Sequence, residues 1–247
     1  MALYDSIGQG YGERRKQDPR IAEPILRALG SAESVVNVGA GAGSYEPRDR
    51  RLVAVEPSRV MIRQRAPEAA PAVRATGTHL PFRDASFDAS LAVLTLHHWR
   101  DQAAGLKEAL RVCRKLVLLS WTGYANRFWL FDYFPEIETI DEAIFPSLSW
   151  MRSVTGAAVE SEVLYIPADC QDGFMCAWWR RPEAYLDPGV RAAISTFAVL
   201  QDVEERMEVL RRDLDNGSWA RRNAELLDRE RMDYGYRVMI LERMAPG

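Results

Sequence analysis

Between Asp18 and Gly30 the apolar residues Ile21, Ile25, Leu26 and Leu29 recur at the spacing of one helical face. Asp18 ahead of Pro19 reads as an N-cap with proline at the first helical position, and Gly30 stands where a terminating glycine belongs. Then the period changes. SVVNV (34–38), LVAVE (52–56), AVRAT (72–76), FDASLAVLTL (87–96) and KLVLLSW (115–121) are short runs that predict strands. LVAVE and KLVLLSW are apolar on both faces, the pattern of parallel strands covered by helices on each side. Helices are predicted in between, over 58–66 with Ser58 as cap and over 101–113 with Asp101 as cap. Strand and helix alternate, which predicts a doubly wound α/β sheet.

Beyond residue 123 the pattern loosens. Residues 124–151 are rich in aromatics, with FWLFDYF at 128–134, Phe145 and Trp150. AVESEVLYI (158–166) and YGYRVMILER (234–243) predict the last two of seven strands. Residues 167–233 read mainly as helix, with Val203, Met207, Leu210 and Leu214 as a core stripe. The chain thus divides into a helical cover (1–30), a core (31–123), an insertion-bearing part with one more strand (124–233) and a last strand with its tail (234–247). The aromatic segment and DGFMCAWW (172–179) form either a lid and substrate wall or the insertion's own core.

Composition narrows the partners. A chain of 247 residues, 47% apolar and 27% charged, suits one globular domain with an insertion. Lys+Arg total 32 against 35 Asp+Glu, a formal charge of −3, which argues against a nucleic-acid partner. Cys113, Cys170 and Cys176 are odd in number and form no C-x-x-C pair, so neither a disulfide framework nor a zinc site is expected. Asp169, Asp172 and Cys170 do not make an acidic metal site, and no metal is expected. The first residues carry no apolar leader and no run of about 18 apolar residues occurs, so a cytoplasmic protein without a membrane partner is expected.

The chemistry concentrates at VVNVGAGAGSYEP (35–47), where a strand runs into Gly39-Ala40-Gly41-Ala42-Gly43. Glycines permit a tight turn and a close ligand. A dinucleotide fingerprint from Gly39 needs glycine at 44, where Ser44 stands, so a nicotinamide-dependent oxidoreductase is the weaker reading. Glu56 ends the next strand, 17 residues after Gly39. A carboxylate there can accept from both hydroxyls of a ribose; otherwise it is a solvated strand end.

VVNVGAGAGS, AVEPS, LPFRDASFD (80–88) and LTLHHW (94–99), in that order, resemble the class I S-adenosylmethionine-dependent methyltransferases, most nearly the small-molecule group of the ubiquinone/menaquinone-methyltransferase type. The resemblance covers about residues 30–121 and implies a mostly parallel, seven-stranded Rossmann-like sheet, S-adenosylmethionine as cofactor and S-adenosylhomocysteine as product. Carried over by position, Gly39, Ala40, Gly41 and Gly43 lie beneath the methionine and ribose parts, and Glu56 holds the ribose. Pro57, Ser58 and Met61 border the adenine, Thr76, Gly77 and Thr78 bind its amino group, and Leu94 and Thr95 face the methionine part. Tyr11 and Arg15 belong to an N-terminal cover, where an arginine could pair with the methionine carboxylate, or to a solvated basic stretch. His98, with His97 behind it, is the candidate proton acceptor; the alternative is a loop histidine without chemistry.

Three positions depart from the family's pattern. Asn37 replaces the usual aspartate, Thr76 replaces an acid, and residues 44–51 leave room for little more than one helical turn. These departures keep open a non-catalytic, cofactor-binding module. The reading favoured is methyl transfer to an aromatic or apolar small molecule.

Overall fold

The computed structural model describes Asp5 and residues 11–243. Helix α1 is Tyr11–Arg14 and α2 is Pro19–Leu29, followed by strands β1 (Ser34–Val38) and β2 (Arg51–Val55). Then come α3 (Arg59–Arg63), β3 (Ala72–Val73), β4 (Ala89–Val93), α4 (Gln102–Arg111) and β5 (Lys115–Trp121). Helices α5 (Glu136–Ile144) and α6 (Leu148–Thr155) precede β6 (Ala158–Val163) and β7 (Ile166–Pro167). Helices α7 (Pro188–Ala192), α8 (Val203–Asp215), α9 (Ser218–Arg222) and α10 (Ala224–Leu227) lead to β8 (Arg231–Met232) and β9 (Tyr236–Glu242).

The main sheet has seven strands in the order β3-β2-β1-β4-β5-β9-β6, with β9 antiparallel to both of its neighbours and the other pairings parallel. The doubly wound expectation therefore holds, and β1 and β4 flank the point where the strand order reverses. Ligands of such sheets bind in the crevice beyond the carboxyl ends of those strands. Alternation along β5 builds both layers. Val117 and Leu119 join Ile21, Ile25 and Leu29 of α2, while Leu116 and Leu118 join Leu106 and Leu110 of α4 and Met151 of α6. Asp18 caps α2 by accepting from the Arg20 backbone N–H at 2.9 Å, and Asp101 caps α4 by accepting from that of Ala104 at 2.9 Å.

Several expectations change. Leu26 is exposed, at the edge of the buried face that Ile21, Ala22, Pro24, Ile25 and Leu29 form. The strand expected over 72–76 pairs only at Ala72–Val73. The run 158–166 breaks after Val163, and Ile166–Pro167 pairs instead with Arg231–Met232 in a separate ladder. No helix forms between β1 and β2; residues 44–50 cross as turns. Within 167–233 the helices other than α8 are short and interspersed with 3-10 turns, and Met207 and Leu210 of α8 are buried as the stripe requires. The aromatic run 128–134 forms the insertion's core: Phe128, Trp129 and Phe134 are buried, and Trp129 Nε1 donates to the Trp179 carbonyl at 2.7 Å. Among the described residues no helix is long and apolar enough to cross a membrane.

Candidate cofactor site

A cavity of about 1360 Å³ opens beyond the carboxyl ends of β1, β2 and β4. Its floor is the glycine turn. Gly39 has φ +74°, and a Cβ there would stand 2.1 Å from Thr95 Oγ1, so the turn passes β4 only without a side chain. The turn's N–H groups are already engaged. Those of Gly39 and Ala40 donate to the Val55 carbonyl at 2.8 and 3.0 Å, and that of Gly43 to the Ala40 carbonyl at 3.0 Å. A pyrophosphate would need such groups free, which opposes a dinucleotide here.

Glu56 lies just past β2 and is 5% exposed. Its Oε2 accepts from the Gly41 N–H and its Oε1 from the Ser58 N–H, each at 2.8 Å. Burial raises its pKa, and those two N–H donors work against the rise. A carboxylate offers about four acceptor positions, so two remain for a pair of hydroxyls. It is no solvated strand end.

Asn37, 1% exposed, also lines the cavity, and its Nδ2 donates to Glu46 Oε1 at 3.0 Å. Glu46 is paired with Arg65 at 2.7 Å beneath the turn. Across the cavity Leu94 takes φ +49°, a strained conformation for a leucine, which turns the chain sharply at the tip of β4. Thr95 follows, then a 3-10 turn over Leu96–His98. His97 and His98 stack with ring centres 3.8 Å apart, and Phe145 covers His97 at 4.3 Å. Desolvation first, and the charge of Arg15 second, bring the His98 pKa down to about 4, so its ring is neutral at physiological pH. Trp99 is pinned on Gly105, where a Cβ would lie 2.2 Å from its Cε3.

Of the positions expected from the resemblance, Arg15, Gly39, Ala40, Gly41, Glu56, Pro57, Met61, Thr76, Gly77, Thr78, Leu94, Thr95 and His98 line the one cavity. Two expected positions do not line it. Gly43 faces the buried Arg65–Glu46 pair, and Ser58 is buried as the cap of α3, accepting from the Met61 N–H at 3.3 Å. The Tyr11 side chain lies outside the described residues. Arg15 is not solvated: its Nε and Nη2 reach Asp172 at 2.6 and 3.2 Å. That pairing competes with the expected bond to a ligand carboxylate. The sequence reading missed Arg74, Trp99, Gln102 and Ala143 as lining residues, and did not place Trp150, which is there with them. Trp99 and Gln102 follow directly on the tip of β4, which is the one local signal that could have found them.

These groups fit an adenosyl amino acid: acceptors for a ribose diol at Glu56, an open acceptor at Asn37, and a turn that admits no side chain at Gly39. A methyltransferase-domain family model matches residues 36–119. A solved protein from Anabaena variabilis, assigned as a methyltransferase of an antibiotic biosynthesis pathway, is 33% identical, with 94% of this chain and 100% of that one aligned at a TM-score of 0.85. The chain belongs to the S-adenosylmethionine-dependent methyltransferases. S-adenosylmethionine is accordingly its cofactor. The fold is shared with a Thermotoga maritima methyltransferase at 15% identity and a TM-score of 0.54, over 91% of this chain and 88% of that one. A curated Schizosaccharomyces pombe tRNA (carboxymethyluridine(34)-5-O)-methyltransferase is 26% identical over 116 residues, 47% of this chain. The match spans about half that relative's length, 51%.

Proposed function

We propose that this methyltransferase methylates an apolar or aromatic small molecule, releasing S-adenosylhomocysteine. The observation that carries this reading is the cavity: its 1360 Å³ exceeds the roughly 300–1,000 Å³ of a site for one drug-sized ligand, so a cofactor and an acceptor fit together. The part of its wall beyond the glycine turn includes Trp99, Ala143 and Trp150, which suit a flat or apolar acceptor. The likeness to the ubiquinone/menaquinone group supports the same class. So does the Anabaena variabilis relative, because antibiotics are small molecules. The tRNA acceptor of the yeast relative finds less support in a chain of formal charge −3.

Bound S-adenosylmethionine supplies a methyl group activated by its sulfonium. The protein's part is alignment and exclusion of water. Glu56 holds the cofactor's ribose, Leu94 and Thr95 shape the wall beside the acceptor, and Trp150 closes it. His98, neutral at physiological pH, takes the proton that an acceptor hydroxyl or amine gives up as it gains the methyl group.

The decisive experiment incubates the protein with tritiated methyl donor and, separately, a small-molecule metabolite extract and total tRNA. Label is expected in the small-molecule fraction. Label confined to tRNA would overturn the proposed acceptor class.

A further inference from the structure

Two oddities of this chain meet at one place. Asn37 is a buried polar residue in the apolar strand β1, and the crossover from β1 to β2 has no helix. The short crossover brings Glu46, nine residues after Asn37, under the glycine turn. There its carboxylate accepts from Asn37 Nδ2 at 3.0 Å and from Arg65 Nη2 at 3.0 and 2.7 Å. Arg65 is itself tied to the Ala70 carbonyl at 3.0 Å and the Gly41 carbonyl at 3.4 Å. The Glu46 and Arg65 side chains are 8% and 5% exposed. This is a buried clasp joining β1, the turn and the bend that follows α3.

Its consequence is directional. A carboxylate beside an arginine only accepts hydrogen bonds, so the Asn37 NH2 must face Glu46 and the amide oxygen must face away. Asn37 lines the cavity, and its Oδ1 is buried without a hydrogen-bond partner among the described residues. Buried acceptors are normally satisfied, so this one points to a donor supplied by a ligand. In the sheet β1 lies between β2, which leads to Glu56, and β4, which leads to Leu94 and Thr95. The part of the cofactor that lies past its ribose toward β4 is the amino-acid part, whose strong donor is the ammonium.

We infer that Glu46, gripped by Arg65, is a positioning residue that locks the Asn37 amide so that its oxygen receives the ammonium of the bound cofactor. The inference rests on the cofactor reading. Arg65 neutralises the Glu46 carboxylate, and the neutral amide oxygen of Asn37 is left to do the recognition.

The test is calorimetric binding of S-adenosylhomocysteine and of its deaminated analogue to the wild type, Glu46→Gln and the double variant Asn37→Asp/Glu46→Gln, with thermal melting to verify folding. Wild type is expected to prefer S-adenosylhomocysteine by about tenfold or more, the worth of a hydrogen bond to a charged group. Glu46→Gln, whose amide no longer dictates how Asn37 turns, should lose affinity for S-adenosylhomocysteine and keep that for the analogue. The double variant should regain the preference, because an ionised carboxylate at the end of β1 accepts through either oxygen and needs no steering. A merely structural role would weaken both ligands alike, and that result overturns the inference. So does a wild type that binds both ligands equally, with the cofactor reading left standing. A wild type that binds neither ligand overturns the cofactor reading itself, and this inference with it.

Discussion

Taking the Glu56 carboxyl out of water raises its pKa, and the backbone N–H groups of Gly41 and Ser58 oppose that rise and fix its two oxygens in place. Its preorganisation yields a direct prediction. Glu56→Ala should weaken S-adenosylhomocysteine binding by about 1.5–3 kcal/mol, the range for hydrogen bonds to a charged group. Calorimetry checks it, and unchanged affinity removes Glu56 from the site. His98 makes a different demand. Removing a general base should slow turnover by roughly 10²–10⁴-fold while cofactor affinity holds, so His98→Asn separates a proton acceptor from a packing residue in one kinetic measurement. Full activity in that variant retires the base. Glu56 and Gly39 were legible in the sequence because a glycine turn and a strand tip are local signals. The true partner of Arg15 was not, since Asp172 stands 157 residues away.

At the scale of elements, the same distinction explains which parts of the chain could be read. The strands of the parallel core announce themselves by apolar runs, and α2 and α4 by caps and period. In the insertion's 167–233 stretch only α8 is long enough to show its period; α7, α9 and α10 have four or five residues and the other helical turns are 3-10. What orders it is long-range pairing. Asp172, fully buried, accepts from Arg15, from the Tyr45 hydroxyl at 2.9 Å and from the Gly173 N–H at 2.7 Å. Arg14 reaches Asp187 at 2.8 Å nearby. The segment ahead of α2 is thereby fastened to the insertion at the edge of the cavity. Asp172→Ala removes the buried carboxylate that the 9%-exposed Arg15 side chain pairs with. Breaking a buried pair this way costs about 3–5 kcal/mol, which urea unfolding at pH 7 should register. The exposed Arg14–Asp187 pair is the control: Asp187→Ala should cost about 1 kcal/mol or less through that pair, plus what its cap on α7 contributes. Equal losses in the two variants would refute the fastening role of Asp172.

Over the whole molecule, two buried groups set opposite responses to pH. The folded pKa of His98 is about 4 against an ordinary 6.5, so the unfolded chain takes up that proton first. Its effect is a stability that falls as pH drops from 6.5 toward 4. Asp141 is the reverse case. It is 4% exposed in α5, with no cation beside it among the described residues, and accepts from the Tyr124 hydroxyl at 2.6 Å and the Thr196 hydroxyl at 3.2 Å. Burial raises its pKa from 3.8 to about 6, against the pull of those two donors. The folded chain therefore holds this proton more tightly, and stability falls as pH rises from 3.8 through 6, with the full cost of the buried charge present above that. Asp141→Asn keeps the side chain's shape and removes the charge. It should raise stability at pH 7.5 by about 1–3 kcal/mol, by conversion of the shift, and the gain should shrink toward zero as pH approaches 4. Urea unfolding of both proteins at several pH values measures the difference directly. A variant less stable than wild type at pH 7.5 would mean that the Tyr124 and Thr196 hydroxyls repay the desolvation of an ionised Asp141 in full. The aromatic insertion would then hold a charge in its core as a stabilising feature, and the acid in α5 would join the Asp172 anchor as part of what binds the insertion to the sheet.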